Sequence, residues 1–269
     1  MRIIVTRPLA QARPWVESLR ALGVDAQALP LIGIAPPDDV ALVRQAWLGL
    51  KDLALVVFVS ANAVEQFFAL RPAATSWPAL LLAASTGPGT TAALRSAGLA
   101  SVQIVEPAAD AASFDSEALW VELRKRHWVG KKTLVVRGEQ GRNWLAEQLI
   151  AQDAEVVFVI AYRRLAPQLG APEQALLQEA LADPAQHLWL FSSSEAVANL
   201  NALAAASVAA DAGAAIATDG RAGPSRWRDS RAWATHPRIL QAALEAGFGQ
   251  LQPVGATPEA VAQRWRDFQ

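Results

Sequence analysis

The residues of this sequence that could do chemistry are arginines, hydroxyl-bearing side chains and one tyrosine, and they stand where short apolar runs end. Arg7 follows the run 3–5, and Arg137 follows the run 134–136. A guanidinium offers a planar fork of donors that suits a carboxylate. Each arginine is therefore a candidate ligand for an anionic substrate, and the alternative is a surface arginine that solvates a strand end.

Tyr162 is the only tyrosine among the 269 residues. It closely follows the apolar run 156–160 and precedes Arg163 and Arg164. A phenol is a plausible proton donor in catalysis. The alternative interpretation is an aromatic side chain that packs at a connector.

Small polar side chains stand at the predicted starts of several helices, among them Ser60 and Ser193. Ordinary helix capping explains such residues, but free backbone N–H groups at a helix start also bind anions. His236 can likewise be a simple turn residue before a proline. The candidate substrate-binding residues are Arg7, Ser60, Ala61, Asn62, Thr86, Gly87, Thr90, Arg137, Gly138, Arg142, Ser193, Ser194, His236 and Arg238.

A strand, a turn, a helix and a second strand are predicted over residues 133–164. The runs 134–136 and 156–160 have the continuous apolar character of buried parallel strands, and apolar residues recur at helical spacing between them. Ligands bind at the carboxyl ends of the strands in open α/β sheets. This unit would therefore bring Arg137 and Tyr162 to the binding edge of one sheet.

The start of the chain repeats this unit, because Arg7 aligns with Arg137 and each follows an apolar run. Internal duplication on this scale predicts two similar domains rather than one long sheet. The other matched segments are Arg13-x-Trp15 with Arg142-x-Trp144, 58–64 with 191–197, and Thr86-Gly87-Pro88 with Thr235-His236-Pro237.

Two proline-containing connectors, 30–37 and 161–167, divide the chain. Proline disfavours helix at these positions. The simplest folding predicts one α/β domain from residues 38–160 and a second, discontinuous one from residues 1–34 with 168–269. The predicted fold class is α/β, with two similar open parallel-sheet domains and a cleft between them.

Composition argues against several classes of function. With 24 basic and 25 acidic residues, bulk charge predicts no nucleic-acid or membrane partner. Absence of cysteine excludes thiolate chemistry, and three dispersed histidines argue against a metal site. Without a signal peptide, a long apolar span or an oligomerisation helix, we expect a cytoplasmic monomer. The ten tryptophans are interpreted as packing, and the polar segment 219–230 as a mobile loop.

Gly87-x-Gly89-x-x-Ala92 imitates a dinucleotide-binding fingerprint. It follows a predicted strand, opens a predicted helix and has Glu106 further on, where an acidic residue would bind ribose. Pro88 lies between the two glycines and argues against this interpretation.

Several short motifs together span nearly the whole chain: Val5-Thr6-Arg7-Pro8, residues 58–64, residues 136–142, Ala161-Tyr162-Arg163-Arg164, Phe191-Ser192-Ser193-Ser194, and residues 235–239 with Gly247-Phe248. In order and spacing they resemble the uroporphyrinogen-III synthase family. The resemblance implies two α/β domains joined by a two-stranded connector, with the active site in the cleft.

The resemblance also implies a lyase of porphyrin and heme biosynthesis that uses no cofactor or metal. Such an enzyme cyclises hydroxymethylbilane, a linear tetrapyrrole, with loss of water and inversion of the last ring to give uroporphyrinogen III. The resemblance favours Tyr162 as the catalytic residue, and helix starts and arginines as ligands of the substrate carboxylates. It further implies hand-over of the substrate from the preceding pathway enzyme.

Two other functions remain as alternatives. Two α/β domains with two chain crossings are also the architecture of hinged binding proteins, so a non-catalytic module for anions or sugar acids is one of them. The second is a nucleotide-dependent oxidoreductase that uses the segment around Gly87. Isomer analysis after incubation with hydroxymethylbilane would discriminate all three.

Overall fold

A computed structural model describes residues 1–111, 113–212 and 224–268. The chain divides into two compact units. The first unit comprises Met1–Gly33 and Leu165–Gln269, and the second comprises Ile34–Arg164. Each unit is built around its own parallel sheet.

Strands and helices alternate along the chain, except that the second and third strands are consecutive. The strands are β1 (Arg2–Val5), β2 (Ala26–Ala28), β3 (Gly33–Ala35), β4 (Leu55–Phe58), β5 (Leu82–Ser85), β6 (Ile104–Val105), β7 (Lys132–Gly138), β8 (Glu155–Leu165), β9 (His187–Phe191), β10 (Arg231–Ala234) and β11 (Gln250–Pro253). The helices are α1 (Leu9–Ala21), α2 (Val40–Leu48), α3 (Ala61–Ala69), α4 (Pro88–Ser96), α5 (Ser116–Leu123), α6 (Trp144–Ile150), α7 (Ala171–Ala182), α8 (Ser194–Ala212), α9 (Pro237–Glu245) and α10 (Pro258–Phe268).

Five strands of each sheet lie in the same spatial order, and the second sheet has β3 as an additional edge strand. The first unit has the order β11-β10-β9-β1-β2, and the second has β3-β8-β7-β4-β5-β6. Central strands such as β4 and β9 are buried along their whole length, because helices cover both faces of a parallel sheet. The predicted α/β class with two open parallel sheets is confirmed.

The register of the strands reproduces the duplication seen in the sequence. Val5 pairs with Leu190 in the first unit, and the matched residues Val135 and Val57 pair in the second. Chain order differs between the units, because β4–β6 precede β7 and β8, whereas β1 and β2 precede β9–β11. The same five-strand sheet is thus assembled from two different chain orders.

Aromatic side chains fill the core of each unit. Trp47 stacks on Phe67 with ring centroids 4.8 Å apart in the second unit, and Trp227 stacks on Phe248 at 4.9 Å in the first. Trp189 is also fully buried. Packing roles are therefore confirmed for these tryptophans.

Some elements differ from the predictions. Strand β11, with the sequence QLQP, was not predicted, because a single leucine gives no alternation; its proline is tolerated at the edge of the sheet. Strand β3 forms inside the predicted connector 30–37.

Residues 219–223 of the predicted mobile loop lie outside the described residues, and Pro224–Trp227 form a 3-10 helix whose Trp227 is buried. None of the described helices is long and apolar enough to cross a membrane.

Candidate functional site

One cluster of predicted site residues lies at the carboxyl edge of the second unit's sheet. Ser60 follows β4, and Thr86 follows the neighbouring strand β5. Gly138 ends β7 and is paired with Tyr162 on β8. The Thr86 hydroxyl donates to the Val59 carbonyl at 3.2 Å, which ties the ends of β5 and β4 together. Parallel strand ends therefore bring these side chains to one edge, as the sequence predicts.

Tyr162 is held firmly in this cluster. Its side chain is only 2% exposed and belongs to the apolar core of the second unit. Its hydroxyl oxygen lies 3.1 Å from Ser60 Oγ. The backbone register shifts between Arg137 and Gly138, a β-bulge that re-aims the residues beside it. A β-carbon on Gly138 would lie 2.9 Å from Tyr162 Cζ, so the ring rests directly on the backbone of that glycine.

Ser60 is also the N-cap of α3. Its backbone is extended, and its Oγ accepts a hydrogen bond from the Ala63 N–H at 3.2 Å. Ala61 and Asn62 form the first turn of that helix, and Asn62 is 7% exposed. The capping interpretation of Ser60 is therefore confirmed, and its contact with Tyr162 comes in addition.

The start of α4 is braced by an acidic residue. Thr91 donates to Glu106 Oε2 at 2.6 Å, and Arg95 donates to Glu106 Oε1 at 3.0 Å. Glu106 is thus bound by side chains of α4 itself, with one hydrogen bond to each carboxylate oxygen. Thr90 is buried at the same helix start, and a β-carbon on Gly87 would lie 2.9 Å from Phe114 Cβ.

Arg137 folds back onto the loop that follows β7. Its Nε donates to the Gly138 carbonyl at 3.2 Å, and its two Nη atoms donate to Asn143 Oδ1 at 2.5 Å and to the Gly141 carbonyl at 2.8 Å. Its guanidinium carbon lies 5.6 Å from the centre of the Phe158 ring. Each nitrogen of the guanidinium therefore already has a partner.

Arg142 forms a bidentate pair with Glu117 on α5. The Arg142 side chain holds the pKa of the Glu117 carboxyl below its usual range, mainly through that hydrogen bond, and Glu117 raises the pKa of Arg142. This pair joins the start of α6 to the start of α5. It is a contact within the second unit.

A matching cluster lies at the carboxyl edge of the first unit's sheet. Arg7 follows β1, Ser193 follows β9, and His236 follows β10, and these three strands are neighbours. Thr6 ties two of them together, because its hydroxyl donates to the Leu190 carbonyl at 2.7 Å. The duplicated sequence thus builds a duplicated edge.

Arg7 differs sharply from Arg137, its counterpart. Its guanidinium carbon lies 4.1 Å from the centre of the Trp15 ring, and its buried Nε has no hydrogen-bond partner. Burial lowers the pKa of Arg7 to about 10. No acidic side chain pairs with it among the residues that the structure describes. The sequence motif Arg13-x-Trp15 contained this tryptophan, but its contact with Arg7 was not predicted.

The remaining polar residues of the first unit's cluster cap a helix or join two helices. Ser193 Oγ accepts from the Glu195 N–H at 3.2 Å, and Ser194 Oγ donates to the Arg238 carbonyl at 3.4 Å. His236 Nδ1 accepts from the Arg238 N–H at 3.1 Å, so in the neutral ring the proton is on Nε2. The capping alternative is confirmed for Ser193, and His236, whose alternative was a turn residue before Pro237, is the N-cap of α9. Across the described ranges, no group of His, Asp and Glu side chains is placed to hold a metal ion.

Comparisons with known proteins agree with one another. A family model described as uroporphyrinogen-III synthase HemD matches residues 13–263. The chain is 30% identical over 225 residues to the uroporphyrinogen-III synthase of Synechococcus elongatus. That alignment covers 81% of this chain and 82% of the relative. The chain is also 31% identical over 177 residues to the enzyme of the same name from Salmonella typhimurium, covering 65% of this chain and 70% of the relative.

Solved structures show the same fold. A mutant uroporphyrinogen III synthase from Thermus thermophilus aligns with a TM-score of 0.56 at 16% identity, covering 100% of this chain and 97% of that one. The uroporphyrinogen-III synthetase of Helicobacter pylori aligns with a TM-score of 0.51 at 15% identity, covering 100% of both chains.

Proposed function

Because this chain belongs to the uroporphyrinogen-III synthase family, we propose that it converts hydroxymethylbilane into uroporphyrinogen III with loss of water. Its function is that of a uroporphyrinogen-III synthase in porphyrin biosynthesis, by family model and by the names of its relatives. The binding-module and oxidoreductase alternatives receive no support from these comparisons.

The reaction needs a proton at one place and releases one at another. The C–O bond of the terminal hydroxymethyl group breaks as its oxygen takes a proton and leaves as water. The methylene carbon left behind bonds to the substituted α-carbon of the last ring, and the bond from that α-carbon to its bridging carbon breaks. The bridging carbon then bonds to the free α-carbon of the same ring, which loses a proton, so the ring is inverted and the overall balance is one water. Because unassisted closure gives the uninverted isomer, orientation of the chain is the main task of the enzyme.

Arg7 is proposed to bind a substrate carboxylate, and its unpartnered buried Nε is the observation that carries this assignment. A buried charged donor without a partner costs free energy. A substrate carboxylate at Arg7 would remove that cost and form a charge-assisted hydrogen bond. The adjoining start of α8, at Ser193 and Ser194, would add backbone donors.

Tyr162 is proposed as the proton donor to the departing hydroxyl. Its hydroxyl lies at the carboxyl edge of its sheet, in contact with Ser60. General acid assistance typically accelerates a step by ~10²–10⁴-fold. A ring that is 2% exposed also has a packing role, so the substitution that removes only the hydroxyl is the decisive one.

Other polar groups at both sheet edges are proposed to bind the remaining carboxylates. Arg137 and Arg142 would do so in competition with their present partners, Asn143 and Glu117. The others are Ser60, Ala61, Asn62, Thr86, Gly87, Thr90, Gly138, Ser193, Ser194, His236 and Arg238.

The finer features of the enzyme are also proposals. We place it in the cytoplasm as a cofactor-free hydro-lyase and monomer that receives its substrate from the preceding pathway enzyme, without nucleic-acid or membrane partners. The two units are proposed to be its two domains, with limits near 38–160 and at 1–34 with 168–269.

Isomer analysis tests the proposed function. Purified protein would be incubated with freshly prepared hydroxymethylbilane, and the products oxidised to porphyrins and separated into isomers. The inverted isomer should dominate with native protein, and the uninverted one with heat-denatured protein. A binding module would retain the substrate without changing the isomer ratio, and that result would refute the proposal.

A further inference from the structure

We propose that Ser60 and Gly138 are positioning residues for the proposed acid Tyr162: Gly138 makes room for the phenol ring, and Ser60 fixes the phenol oxygen. This inference rests on the proposed function of Tyr162. For these two residues it replaces the direct substrate contact proposed above, and the two roles differ in whether a substitution changes kcat or KM.

Gly138 is required for space rather than for an unusual backbone angle. Its φ is not in the positive range, unlike that of Gly141. An added β-carbon would lie 2.9 Å from Tyr162 Cζ, 3.0 Å from Cε2 and 3.2 Å from the hydroxyl oxygen. All three atoms belong to a rigid ring packed in the core, so the ring would have to move. A methyl group at residue 138 therefore displaces the hydroxyl itself.

Ser60 can serve Tyr162 without giving up its helix. A serine hydroxyl has one donor and two acceptor sites. Ser60 Oγ uses an acceptor site for the Ala63 N–H, and either hydroxyl can donate in its contact with the phenol oxygen 3.1 Å away. In this proposal Ser60 is the donor. Donation from Ser60 leaves the phenol proton free to point towards a substrate. The hydrogen bond also strengthens when the phenol becomes a phenolate, because the acceptor is then charged.

The proton path balances. The phenol O–H bond of Tyr162 breaks as the proton passes to the leaving hydroxyl oxygen, and the C–O bond of the substrate breaks to release water. The resulting phenolate oxygen is held by the Ser60 hydroxyl. The proton lost by the ring carbon at closure restores the phenol.

The matching sheet edge of the first unit has the serine cap but lacks the serine–tyrosine contact. Ser193 occupies the place of Ser60 and caps α8, but Pro8 stands where the second unit has Gly138. The chain has no second tyrosine to take the place of Tyr162. Capping alone is therefore common to both edges, whereas the serine–phenol contact belongs to one.

A double-mutant cycle tests the inference in the full-length protein. Ser60→Ala should lower kcat by about 10- to 100-fold with little change in KM, as expected for a lost hydrogen bond to a charged group. Ser60→Thr, which keeps a hydroxyl, should restore most of the rate. In the Tyr162→Phe protein, Ser60→Ala should lower kcat little further, because the two substitutions remove the same interaction. Equal losses in both backgrounds would overturn the proposal.

A spectroscopic measurement provides a result that does not depend on activity. Tyrosine labelled with ¹³C at Cζ gives one resonance, because the chain has one tyrosine. Ser60→Ala and Gly138→Ala should each shift it. Asp39→Ala, which removes the cap of α2 in the same unit, should leave the resonance and the rate unchanged. An unmoved resonance in the Ser60 and Gly138 variants would refute positioning, whereas failure of native protein to form the inverted isomer would refute the proposed function instead.

Discussion

The guanidinium of Arg7 lies over the indole of Trp15, with its carbon 4.1 Å from the ring centre. A cation–π contact of this kind holds a charge in place without neutralising it. The arginine thus remains ready for an anion, although burial has already lowered its pKa to about 10. An unpaired buried charge lowers the stability of the free protein and raises its affinity for an anionic substrate. Replacing Arg7 should therefore change stability and affinity in opposite directions.

Replacing Arg7 with methionine should therefore stabilise the free protein and weaken substrate binding. Removal of a buried, unpaired charge should raise the free energy of unfolding by about 1 kcal/mol. Loss of a carboxylate ligand should raise KM by about 10- to 100-fold. Thermal unfolding and steady-state kinetics measure the two effects. A variant less stable than its parent would contradict the account of Arg7 as an uncompensated charge.

The same substitution at Arg137 should act in the opposite direction on stability. Its three donor contacts hold the loop from Gly138 to Asn143, so Arg137→Met leaves those acceptors without their partner. Two of these contacts are exposed, so water can replace the lost donor, and we expect a loss of about 0.5–1.5 kcal/mol in the free energy of unfolding. Comparison with Arg7→Met in one thermal series provides the control. If both variants shift the thermal midpoint in the same direction, the account of Arg7 as an unpaired charge and Arg137 as a partnered one is wrong.

Tyr162→Phe should slow formation of the inverted isomer by ~10²–10⁴-fold if the phenol is the acid. The ring is retained, so packing survives, and loss of one hydrogen bond with Ser60 should cost only about 1 kcal/mol of stability. The rate is followed with the thermal midpoint measured alongside. A loss below about threefold in a stably folded variant would remove Tyr162 from the chemistry.

The pair of Glu117 and Arg142 predicts a small pH-dependent contribution to stability. The folded-state pKa of Glu117 is depressed, so its contribution is present above the unfolded pKa and is lost as pH falls through the folded value. Because both side chains are nearly half exposed, the contribution at neutral pH should be about 0.5 kcal/mol or less. Unfolding of Glu117→Gln and its parent at several pH values measures it. A difference that persists in strong acid would exclude the ion pair as its cause.

Much of the fold followed from the sequence because apolar runs and a duplicated motif determine it. Buried strands such as β4 have uninterrupted apolar sequences, and the match between Arg7 and Arg137 located the same strand end twice. Strand β11 escaped prediction because an edge strand needs few apolar residues. Its place in the sheet comes from hydrogen bonds to β10 rather than from its own composition.

The candidate site was predictable in position but not in detail. Strand ends placed Ser60, Gly138 and Tyr162 together, since parallel strands align their carboxyl ends. The divergence between Arg7 and Arg137 depends on neighbours that are distant or irregular, namely a helix face with Trp15 and a loop with Asn143. A sequence match records that two residues correspond, and it does not record what surrounds them.

The different chain orders of the two units have a consequence for synthesis on the ribosome. Strands β4–β8 emerge as one block, so the second unit can complete its sheet while the chain is still growing. Strand β1 emerges earlier but must wait for β9, its partner on one side, until that whole block has passed. Unpaired strand edges are prone to aggregation. We expect nascent chains stalled after β8 has left the ribosome, but before β9 has, to protect the second unit from protease while β1 and β2 are still cleaved. The strands made first would thus gain a stable environment later than strands made after them.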